Sequence, residues 1–479
     1  MKLLGYLRLI CILLGIVGVS MLLPLGVALY YGEQGAASAF AASAVGSMIV
    51  ALLVLVLFRH VPVKFSIRGS FLFVALAWTS ASVFGAVPLY TGGFIPHAAD
   101  AVFESISGFT TTGATILSDM ESLPRSINLW RCQMHWLGGM GIVALTVALF
   151  PLLGVGGFQL IKAETTGPEK GKITPKITNT AKVLWLIYLA FTAVQFVVLY
   201  AAGMDVIDAL SHAFATLGTG GFSTRNSSIA AYQSGLIDAV CTVFMLIAAV
   251  NFNIYFYAFT RKFEDIWNNS ELRCFIAVVV VSIVIVSVSI WGMYGVQAVR
   301  YASFQVASII STTGFGTSDY TTWPPVAQFV MFTLFFLGGC SGSTAGGIKI
   351  IRWVILGKQV SNEVRRTLHP HGVFSIRLNG RAGRKDVVFT VAAFVMVYLC
   401  FIFVTTFVGT CGGLDILSAF TGALSMVGNV GPAFGKLGPS FNYGFLPDFI
   451  KWWYGFAMLA GRLELYTMII MFTTSFWKE

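Results

Sequence analysis

The chain has 479 residues, of which 57% are hydrophobic and only 10% are charged. A water-soluble domain carries roughly 25% charged residues, so this composition excludes a soluble globular protein. The apolar stretches repeatedly reach the roughly 20 residues that a helix needs to cross a bilayer, which predicts a multi-pass membrane protein. A net charge of +10 would suggest nucleic acid in a soluble chain, but basic cytoplasmic loops account for it here. We therefore expect membrane lipids as surroundings and no nucleic-acid partner.

The apolar segments, taken in chain order, predict ten spanning helices. Two come first, near 4–30 and 38–58. Four copies of one unit follow, and each copy has a spanning helix, a half-hydrophobic segment, a Thr/Gly-rich turn and a second spanning helix. The paired helices are predicted near 71–92 and 128–153, 181–202 and 235–260, 272–296 and 325–352, and 387–411 and 448–474.

The expected fold class is therefore an all-α polytopic membrane protein. Four pseudo-symmetric repeats, each a helix, a pore loop and a second helix, would surround a central pore, with two extra helices at the N-terminus. The predicted boundaries place the extra helices in 1–65 and the repeats in 66–165, 166–268, 269–370 and 371–479.

The repeat is clearest in four short turns, which we number turn 1 to turn 4. Each has a glycine at its third position, and the glycines follow one another at nearly equal intervals. The turns comprise Thr111, Thr112, Gly113 and Ala114; Thr219, Gly220, Gly221 and Phe222; Thr312, Thr313, Gly314 and Phe315; and Asn429, Val430, Gly431 and Pro432. Equal motifs between apolar helices indicate an internally duplicated architecture.

The basic residues predict the orientation. With the N-terminus in the cytoplasm, most of the 30 Lys and Arg lie in or beside cytoplasmic segments and all four turns lie outside, as the positive-inside bias requires. Acidic residues outnumber basic ones on the outer side, and this imbalance would concentrate cations at an outer mouth. The acidic residues include Asp100, Glu104, Asp205, Asp208, Asp319 and Asp415. Ordinary solvated loop charges are the alternative.

The turns predict a binding site for a monovalent cation. A non-helical turn at membrane depth is tolerated only where protein or water satisfies its backbone. Four turns around one axis would point carbonyl oxygens at it, and such oxygens replace an ion's hydration shell. Glycine permits the left-handed backbone angles that this requires. Four unrelated surface loops are the alternative interpretation.

The segments before the turns have the length of half-membrane helices. If they are helical, their C-terminal ends carry partial negative charge toward the pore and favour a cation. These segments are 101–110, 206–217, 301–311 and 414–427.

At these turns the chain resembles the Trk/Ktr/HKT superfamily of potassium transporters, specifically its TrkH-like pore subunits. Two further segments carry the resemblance, 135–141 with the sequence HWLGGMG and the Gly/Ser/Thr run 338–347. The resemblance implies that Gly113, Gly221, Gly314 and Gly431 are filter glycines that bind potassium as the substrate. The turns are shorter than the TVGYG of dedicated potassium channels, which predicts weaker discrimination between potassium and sodium.

The second helix of the third repeat is interrupted by a run that we call the intramembrane loop. It comprises Gly338, Gly339, Cys340, Ser341, Gly342, Ser343, Thr344, Ala345, Gly346 and Gly347. Glycine at this density disfavours a helix by up to about 1 kcal/mol per residue relative to alanine. Pseudosymmetry places the run below the turns, where it would obstruct ions, and the resemblance likewise implies a gate. Close helix packing by small residues is the alternative.

Arg462 is predicted near the middle of the last spanning helix. A charge at that depth costs at least about 2.5 kcal/mol, so it requires a partner or a water-filled path. A fixed cation in the pore would oppose cation passage, and the resemblance matches Arg462 to an arginine below the filter. The alternative is an arginine that anchors packed carbonyl groups.

Other patterns argue against an enzyme. Residues 139–144 match the dinucleotide fingerprint GxGxxA but lie in an apolar helix after no strand, so close helix packing is the better interpretation. The seven cysteines and six histidines show no metal-ligand spacing, and His135 and His212 are interpreted as hydrogen-bonded pore-domain residues. We expect no cofactor in this chain. A lipid-modifying membrane enzyme would require paired acid/base or metal ligands, and none is visible.

The predicted function is channel-like potassium uptake across the bacterial inner membrane, with K⁺ or Rb⁺ modestly preferred over Na⁺. Symport with H⁺ or Na⁺ is the alternative, with Glu104 and Glu464 as the few candidate proton carriers. The resemblance also implies a homodimer and a separate cytosolic TrkA-like subunit that binds nucleotides. Basic residues in 365–385 offer a docking surface, although anionic lipid would satisfy them equally.

Overall fold

The computed structural model describes residues 2–61, 66–141, 177–379, 381–382 and 386–478. Its long elements are α-helices, and six spans are long and apolar enough to cross a membrane. They are Leu4–Tyr31, Gln34–Leu57, Arg68–Thr91, Lys182–Ala201, Ser270–Ser289 and Val387–Cys411. The expected class of multi-pass α-helical membrane protein is confirmed.

The N-terminal pair forms a helical hairpin. Helices α1 (Lys2–Ser20) and α2 (Leu22–Tyr31) make one span, and α3 (Gln34–Leu57) returns beside it. The reversal lies at Gly32, whose φ of 72° is the left-handed conformation that ends a helix. Gly15 faces Ala51 so closely that a Cβ would lie 2.7 Å away from it, which shows how small residues let these helices approach.

Each of the four repeats begins with a long spanning helix. These first helices are α4 (Ile67–Thr91), α7 (Ile177–Ala201), α12 (Ser270–Ser289) and α17 (Asp386–Cys411). A shorter helix of 12 or 13 residues then leads into each turn. These pore helices are α5 (Ala98–Phe109), α8 (Val206–Leu217), α14 (Ala298–Ile310) and α18 (Ile416–Gly428). The predicted half-membrane segments are thus helical.

The second helices differ from the prediction of ten continuous spans. In repeat 2, α9 (Gly235–Ala249) and α10 (Phe252–Phe259) are bent by 94°. In repeat 4, α19 (Asp448–Arg462) is followed by a 113° bend before Tyr466–Phe472. Each bent pair counts at most as one broken span, so the described residues contain eight spans at most.

The second helices of the other two repeats also stop early. In repeat 1, α6 (Arg125–Gly139) ends just before residues 142–176, which lie outside the described residues together with the predicted end of this helix and the boundary at 165. In repeat 3, the intramembrane loop separates α15 (Pro325–Leu334) from α16 (Ile350–Leu368), as predicted. The domain boundaries themselves stay predictions.

Pore helices pack against the second helix of the preceding repeat. Helix α8 contacts α6, α14 contacts α9, and α5 contacts α19. Between repeats 3 and 4, the rings of Phe332 in α15 and Phe420 in α18 lie 6.2 Å apart. These contacts run through all four repeats and return to the first, so the repeats enclose one axis.

Short elements complete the described chain. The remaining α-helices are α11 (Phe263–Trp267), α13 (Trp291–Tyr294), α20 (Tyr466–Ile469) and α21 (Thr474–Trp477). Short 3₁₀ helices occur at Ser228–Tyr232, Gly295–Gln297, Tyr320–Thr322, Gly435–Leu437 and Ile470–Phe472. A small hairpin pairs β1 (Arg377–Leu378) antiparallel with β2 (Arg381–Ala382).

Candidate functional site

The four pore helices end in the same backbone conformation. The first-position residues Thr111, Thr219, Thr312 and Asn429 all have φ between 54° and 56°, and the third-position glycines have φ between 79° and 99°. Left-handed backbone costs a residue with a side chain about 1–2 kcal/mol, and β-branched threonine is a pronounced outlier there. Strain at three equivalent threonines, with Asn429 readily adopting the same conformation at the fourth position, points to a functional constraint.

Hydrogen bonds fix this conformation in each repeat. In turn 1, the N–H of Thr111 donates to the carbonyl of Gly108 at 3.1 Å and that of Thr112 donates to Ser107 at 2.9 Å. The same pair of bonds, with the same sequence offsets, ends the other three pore helices. This is the Schellman arrangement, which satisfies the last carbonyls of a helix and turns the chain sharply.

The turns meet in a closed ring. A Cβ placed on Gly113 would collide with the carbonyl oxygen of Gly220, and one on Gly221 would collide with that of Thr313. The contact repeats from Gly314 to the carbonyl of Val430. It returns from Gly431 to that of Thr112. The second-position carbonyl of each turn therefore lies against the glycine of its neighbour, and no side chain fits at any of the four glycines.

A cavity opens directly above this ring. It is lined by all four third-position glycines and by segments that follow the turns, including Ser223, Asn226 and Tyr443. The prediction that four separate turns come together around one axis agrees with this geometry. Their assignment as potassium ligands stays a prediction.

Polar residues of three pore helices support the segments after the turns. Glu104 accepts hydrogen bonds from Thr115 Oγ1 at 2.9 Å and from the Ile116 N–H at 3.0 Å. His212 Nε2 lies 2.9 Å from Ser223 Oγ, and Gln305 Nε2 donates to the Ser318 carbonyl at 2.6 Å.

Sequence reasoning predicted hydrogen bonding for His212 but missed the shared supporting role, although all three residues precede the glycine of their turn by the same distance. Repeat 4 has Gly422 at that position. Its turn is held instead by two buried tyrosines: Tyr443 Oη donates to the Gly431 carbonyl and Tyr320 Oη donates to the Ala433 carbonyl, each at 2.7 Å.

Most of the acidic residues named for the outer mouth are engaged with basic groups, although the excess of acidic over basic residues on that side is unchanged by pairing, and attraction of cations stays a prediction. Four of the six form ion pairs, which weakens their local field. The pairs are Asp100 with Lys451 at 2.5 Å, Glu104 with Arg131 at 2.7 Å, Asp205 with Arg125 at 3.1 Å, and Asp208 with Arg225 at 2.7 Å. The other two, Asp319 and Asp415, accept local hydrogen bonds, Asp415 as the N-cap of α18.

The intramembrane loop packs against the break in the second helix of repeat 2. The N–H of Cys340 donates to the carbonyl of Ala249 at 2.8 Å, and Thr344 Oγ1 donates to that of Ala248 at 3.1 Å. In return, the N–H of Phe252 donates to the Gly342 carbonyl at 3.1 Å. The backbone groups freed where α9 ends are thus satisfied by the loop, which makes such a break tolerable at membrane depth.

A buried carboxylate holds both ends of the loop. Glu271, in α12, accepts the N–H of Ser341 at 2.6 Å and that of Ile351 at 3.2 Å. The loop also closes on itself, since the N–H of Gly338 donates to the Ile348 carbonyl at 2.7 Å. Sequence reasoning missed Glu271, because an acidic residue in the first turn of a helix is ordinary helix-end chemistry.

The loop also contacts the ring of turns directly. The N–H of Gly346 donates to Thr312 Oγ1 at 2.7 Å. A Cβ on Gly346 would lie 2.9 Å from the Cβ of Asn429. Because the loop contacts first positions and the cavity contacts third positions, the loop lies on the side of the ring opposite the cavity.

Arg462 lies at the end of α19 beside the loop. Its guanidinium donates to the carbonyls of Thr344 at 2.7 Å, Gly138 at 2.7 Å and Gly139 at 3.0 Å. The last two are end carbonyls of α6, so Arg462 joins the intramembrane loop to the second helix of repeat 1. The alternative of an arginine that anchors carbonyl groups therefore agrees with these contacts. A role of Arg462 in gating stays a prediction.

The histidines and the glycine-rich helix end are structural in the way predicted. His135 Nδ1 lies 2.8 Å from the Gly108 carbonyl, and its Nε2 accepts the N–H of Phe222 at 3.2 Å. A Cβ on Gly139 would lie 2.7 Å from the Cα of Gly218, so close packing explains this part of the fingerprint-like run. Residues 142–144 of that run lie outside the described residues.

Together, the fold and the site define a multi-pass membrane protein whose four repeats bring four strained backbone turns around one axis. The TrkH family model, described as a cation transport protein, matches residues 36–478. The chain belongs to the TrkH family. It is 40% identical over 427 residues to the Trk system potassium uptake protein TrkH of Halomonas elongata, covering 88% of each chain.

Two further comparisons extend over almost the whole chain. The Trk system potassium uptake protein TrkH of Escherichia coli K12 is 37% identical over 467 residues, with 96% of each chain covered. The crystal structure of the potassium transporter TrkH from Vibrio parahaemolyticus matches with a TM-score of 0.88 and 34% identity, covering 100% of both chains.

Proposed function

We propose that the chain is the pore subunit of a bacterial potassium uptake system and conducts K⁺ through the ring of turns. The observation that carries the proposal is the closed ring in which each glycine lies against a neighbouring carbonyl. Backbone oxygens gathered around one axis can replace the water of a monovalent cation. The names of relatives that match nearly the whole chain point to potassium as that cation.

The proposed selectivity is modest. Each turn contributes one glycine in the left-handed conformation, which gives fewer carbonyl layers than a TVGYG filter. Fewer layers impose a weaker requirement on ionic size and field strength. K⁺ and Rb⁺ are therefore expected to permeate best, with measurable Na⁺ flux.

The proposed gate is the intramembrane loop together with Arg462. The loop lies directly below the ring and is joined to it through Thr312 and Asn429. Arg462 ties the loop to α6 through three carbonyl groups. Ion passage requires the loop to move away from the axis, which must break some of these bonds.

Channel-like permeation is favoured over symport with H⁺ or Na⁺. The two carboxylates considered as proton carriers are both paired with arginine, Glu104 with Arg131 and Glu464 with Arg352, each at 2.7 Å. A carboxylate that carries an ion or proton through a transport cycle must first leave its partner, and both of these side chains are held by a guanidinium. Reversal potentials measured against pH and sodium gradients distinguish the two mechanisms.

The proposed setting is the bacterial inner membrane, with the N-terminus in the cytoplasm and the turns facing outside. The relatives are named as proteins of a Trk system, which is consistent with more than one component. We propose a homodimer of pore subunits regulated by a cytosolic TrkA-like nucleotide-binding subunit. Basic residues of α16, including Arg365 and Arg366, offer one docking surface on the cytoplasmic side.

Flux through the purified protein in liposomes tests the proposal. Vesicles loaded with K⁺, Rb⁺, Na⁺ or Li⁺ are compared with protein-free vesicles. The proposal predicts fast K⁺ and Rb⁺ flux, slower Na⁺ flux and little Li⁺ flux. Equal flux of all four ions, or none above the protein-free control, would contradict it.

A further inference from the structure

We propose that Thr312 is a latch between filter and gate: its hydroxyl oxygen accepts the N–H of Gly346 and holds the closed loop against the ring. The bond measures 2.7 Å, and both residues are buried. This inference rests on the proposed function, because it takes the turns as the ion filter and the loop as the gate. Thr312 acts as a positioning residue for the loop.

The latch is specific to repeat 3. Thr219 Oγ1 donates to the Gly218 carbonyl of its own repeat, and Asn429 Nδ2 donates to Thr112 Oγ1 and to the Met458 carbonyl. Thr111 Oγ1 is buried and has no hydrogen-bond partner among the described residues. The four equivalent side chains thus differ in their hydrogen bonds. Among the residues that the structure describes, only Thr312 accepts a hydrogen bond from the intramembrane loop.

The rest of the loop is fastened away from the ring. Glu271 holds the N–H of Ser341, and Cys340 is bonded to the end of α9. Gly346 lies at the other end, where its backbone packs against the carbonyl of Gly428 and the side chain of Asn429. The neighbouring Thr344 is held by Arg462, but the direct bond from Gly346 to the ring is a neutral hydrogen bond, which water or an ion can replace at small cost.

Thr312 Oγ1 is a weaker ligand for an ion while it accepts the hydrogen bond from the loop. A hydroxyl has two acceptor lone pairs, and the Gly346 N–H occupies one of them. A cation at the inner end of the ring and the closed loop therefore compete for Thr312. Because such coupling is reciprocal, K⁺ at this end of the ring is expected to favour the open loop, and the open loop to favour K⁺.

Two matched variants separate the latch from the loss of a filter hydroxyl. Thr312→Val and Thr111→Val each remove one first-position hydroxyl and keep a β-branched residue at a φ of 56°. Only Thr312→Val removes the acceptor for the loop. Since a single neutral hydrogen bond is worth roughly a fivefold change in an equilibrium, K⁺ flux should be about fivefold higher in T312V than in T111V. Thr312→Ser keeps the acceptor oxygen and should therefore not show this fivefold rise.

A second readout does not depend on conduction. Cys340 is buried in the closed loop, so loop opening should expose its thiol to a charged maleimide, quantified for its own peptide by mass spectrometry. Faster labelling of Cys340 in T312V than in T111V supports the latch, and equal labelling overturns it. If the wild type carries no K⁺ but labelling still differs, the potassium proposal fails and the latch stands. Alanine replaces valine at both positions if T312V is not monodisperse.

Discussion

The buried ion pair between Arg131 and Glu104 should couple the stability of the first two turns. The Arg131 and Glu104 side chains are 1% and 0% exposed and lie 2.7 Å apart. Glu104 also holds Thr115 and Ile116 after turn 1, while Arg131 lies over the ring of Phe222 in turn 2, 4.4 Å from its centroid. The pair thus connects the segment that leaves turn 1 with the neighbouring turn 2.

Removing one partner of the ion pair should lower the stability of the fold far more than removing both. Arg131→Met leaves a buried carboxylate without its counter-charge, which costs about 3–5 kcal/mol in comparable buried pairs. Glu104→Gln alone leaves the buried guanidinium unpaired and should also be destabilising. In the Arg131→Met background, however, Glu104→Gln removes the uncompensated charge and should restore part of the lost stability.

The assay is equilibrium unfolding in mixed detergent and SDS micelles, followed by tryptophan fluorescence for the four members of a double-mutant cycle. The expected signature is a change of sign: Glu104→Gln destabilises the wild type and stabilises Arg131→Met. If Glu104→Gln destabilises both backgrounds equally, the two side chains are not coupled. The interpretation of Arg131 as the structural partner of Glu104 would then be wrong.

Three further variants test the ring, the loop and the arginine. Gly113→Ala places a Cβ against the carbonyl of Gly220 at a φ of 80°, so liposome K⁺ flux should fall roughly 5- to 30-fold, the factor that 1–2 kcal/mol of strain implies. Gly316→Ala, which meets nothing within 4 Å, should leave flux unchanged, and equal effects of the two variants would contradict the ring. Glu271→Ala releases both ends of the loop and should raise K⁺ flux several-fold at some loss of thermal stability, whereas a stable variant with unchanged flux argues against the loop as gate. Arg462→Ala removes three bonds to carbonyls and should also raise flux; a decrease would assign the arginine a purely structural role.

The ring of turns could be predicted from the sequence because the Thr/Gly turn is repeated. One such turn predicts little, but a glycine at the same place in four apolar units is best explained by four turns that meet around one axis. The left-handed φ at all four glycines, and the contact of each with the next turn, follow that pattern. The break in repeat 3 was equally predictable, because glycine at such density opposes a helix locally.

The break in repeat 2 was not predictable, since the contacts that accommodate it are distant in sequence. Residues 235–260 are almost continuously apolar, and no Gly or Pro marks the bend after Ala249. The bend is tolerated because Cys340 and Thr344, in another repeat, satisfy the freed carbonyls. Tertiary contacts override local propensity here, as they commonly do.

The ion pairs of the outer mouth could not be predicted from the sequence for the same reason. Asp100 is paired with Lys451, a residue from the opposite end of the sequence, and Glu104 is paired with Arg131 in the next helix. Composition counts the charges of a loop but does not show which of them neutralise one another. The excess of acidic residues is therefore a property of the sequence, but which of them are paired is a property of the fold.

Diffraction from crystals grown or soaked in Tl⁺, a K⁺ substitute with strong anomalous scattering, tests the central claim most directly. If the four turns bind the permeating ion, an anomalous peak should lie on the axis inside the ring, within reach of carbonyls from all four turns, and excess K⁺ should remove it. An empty ring, with Tl⁺ bound only elsewhere in the protein, would contradict the account.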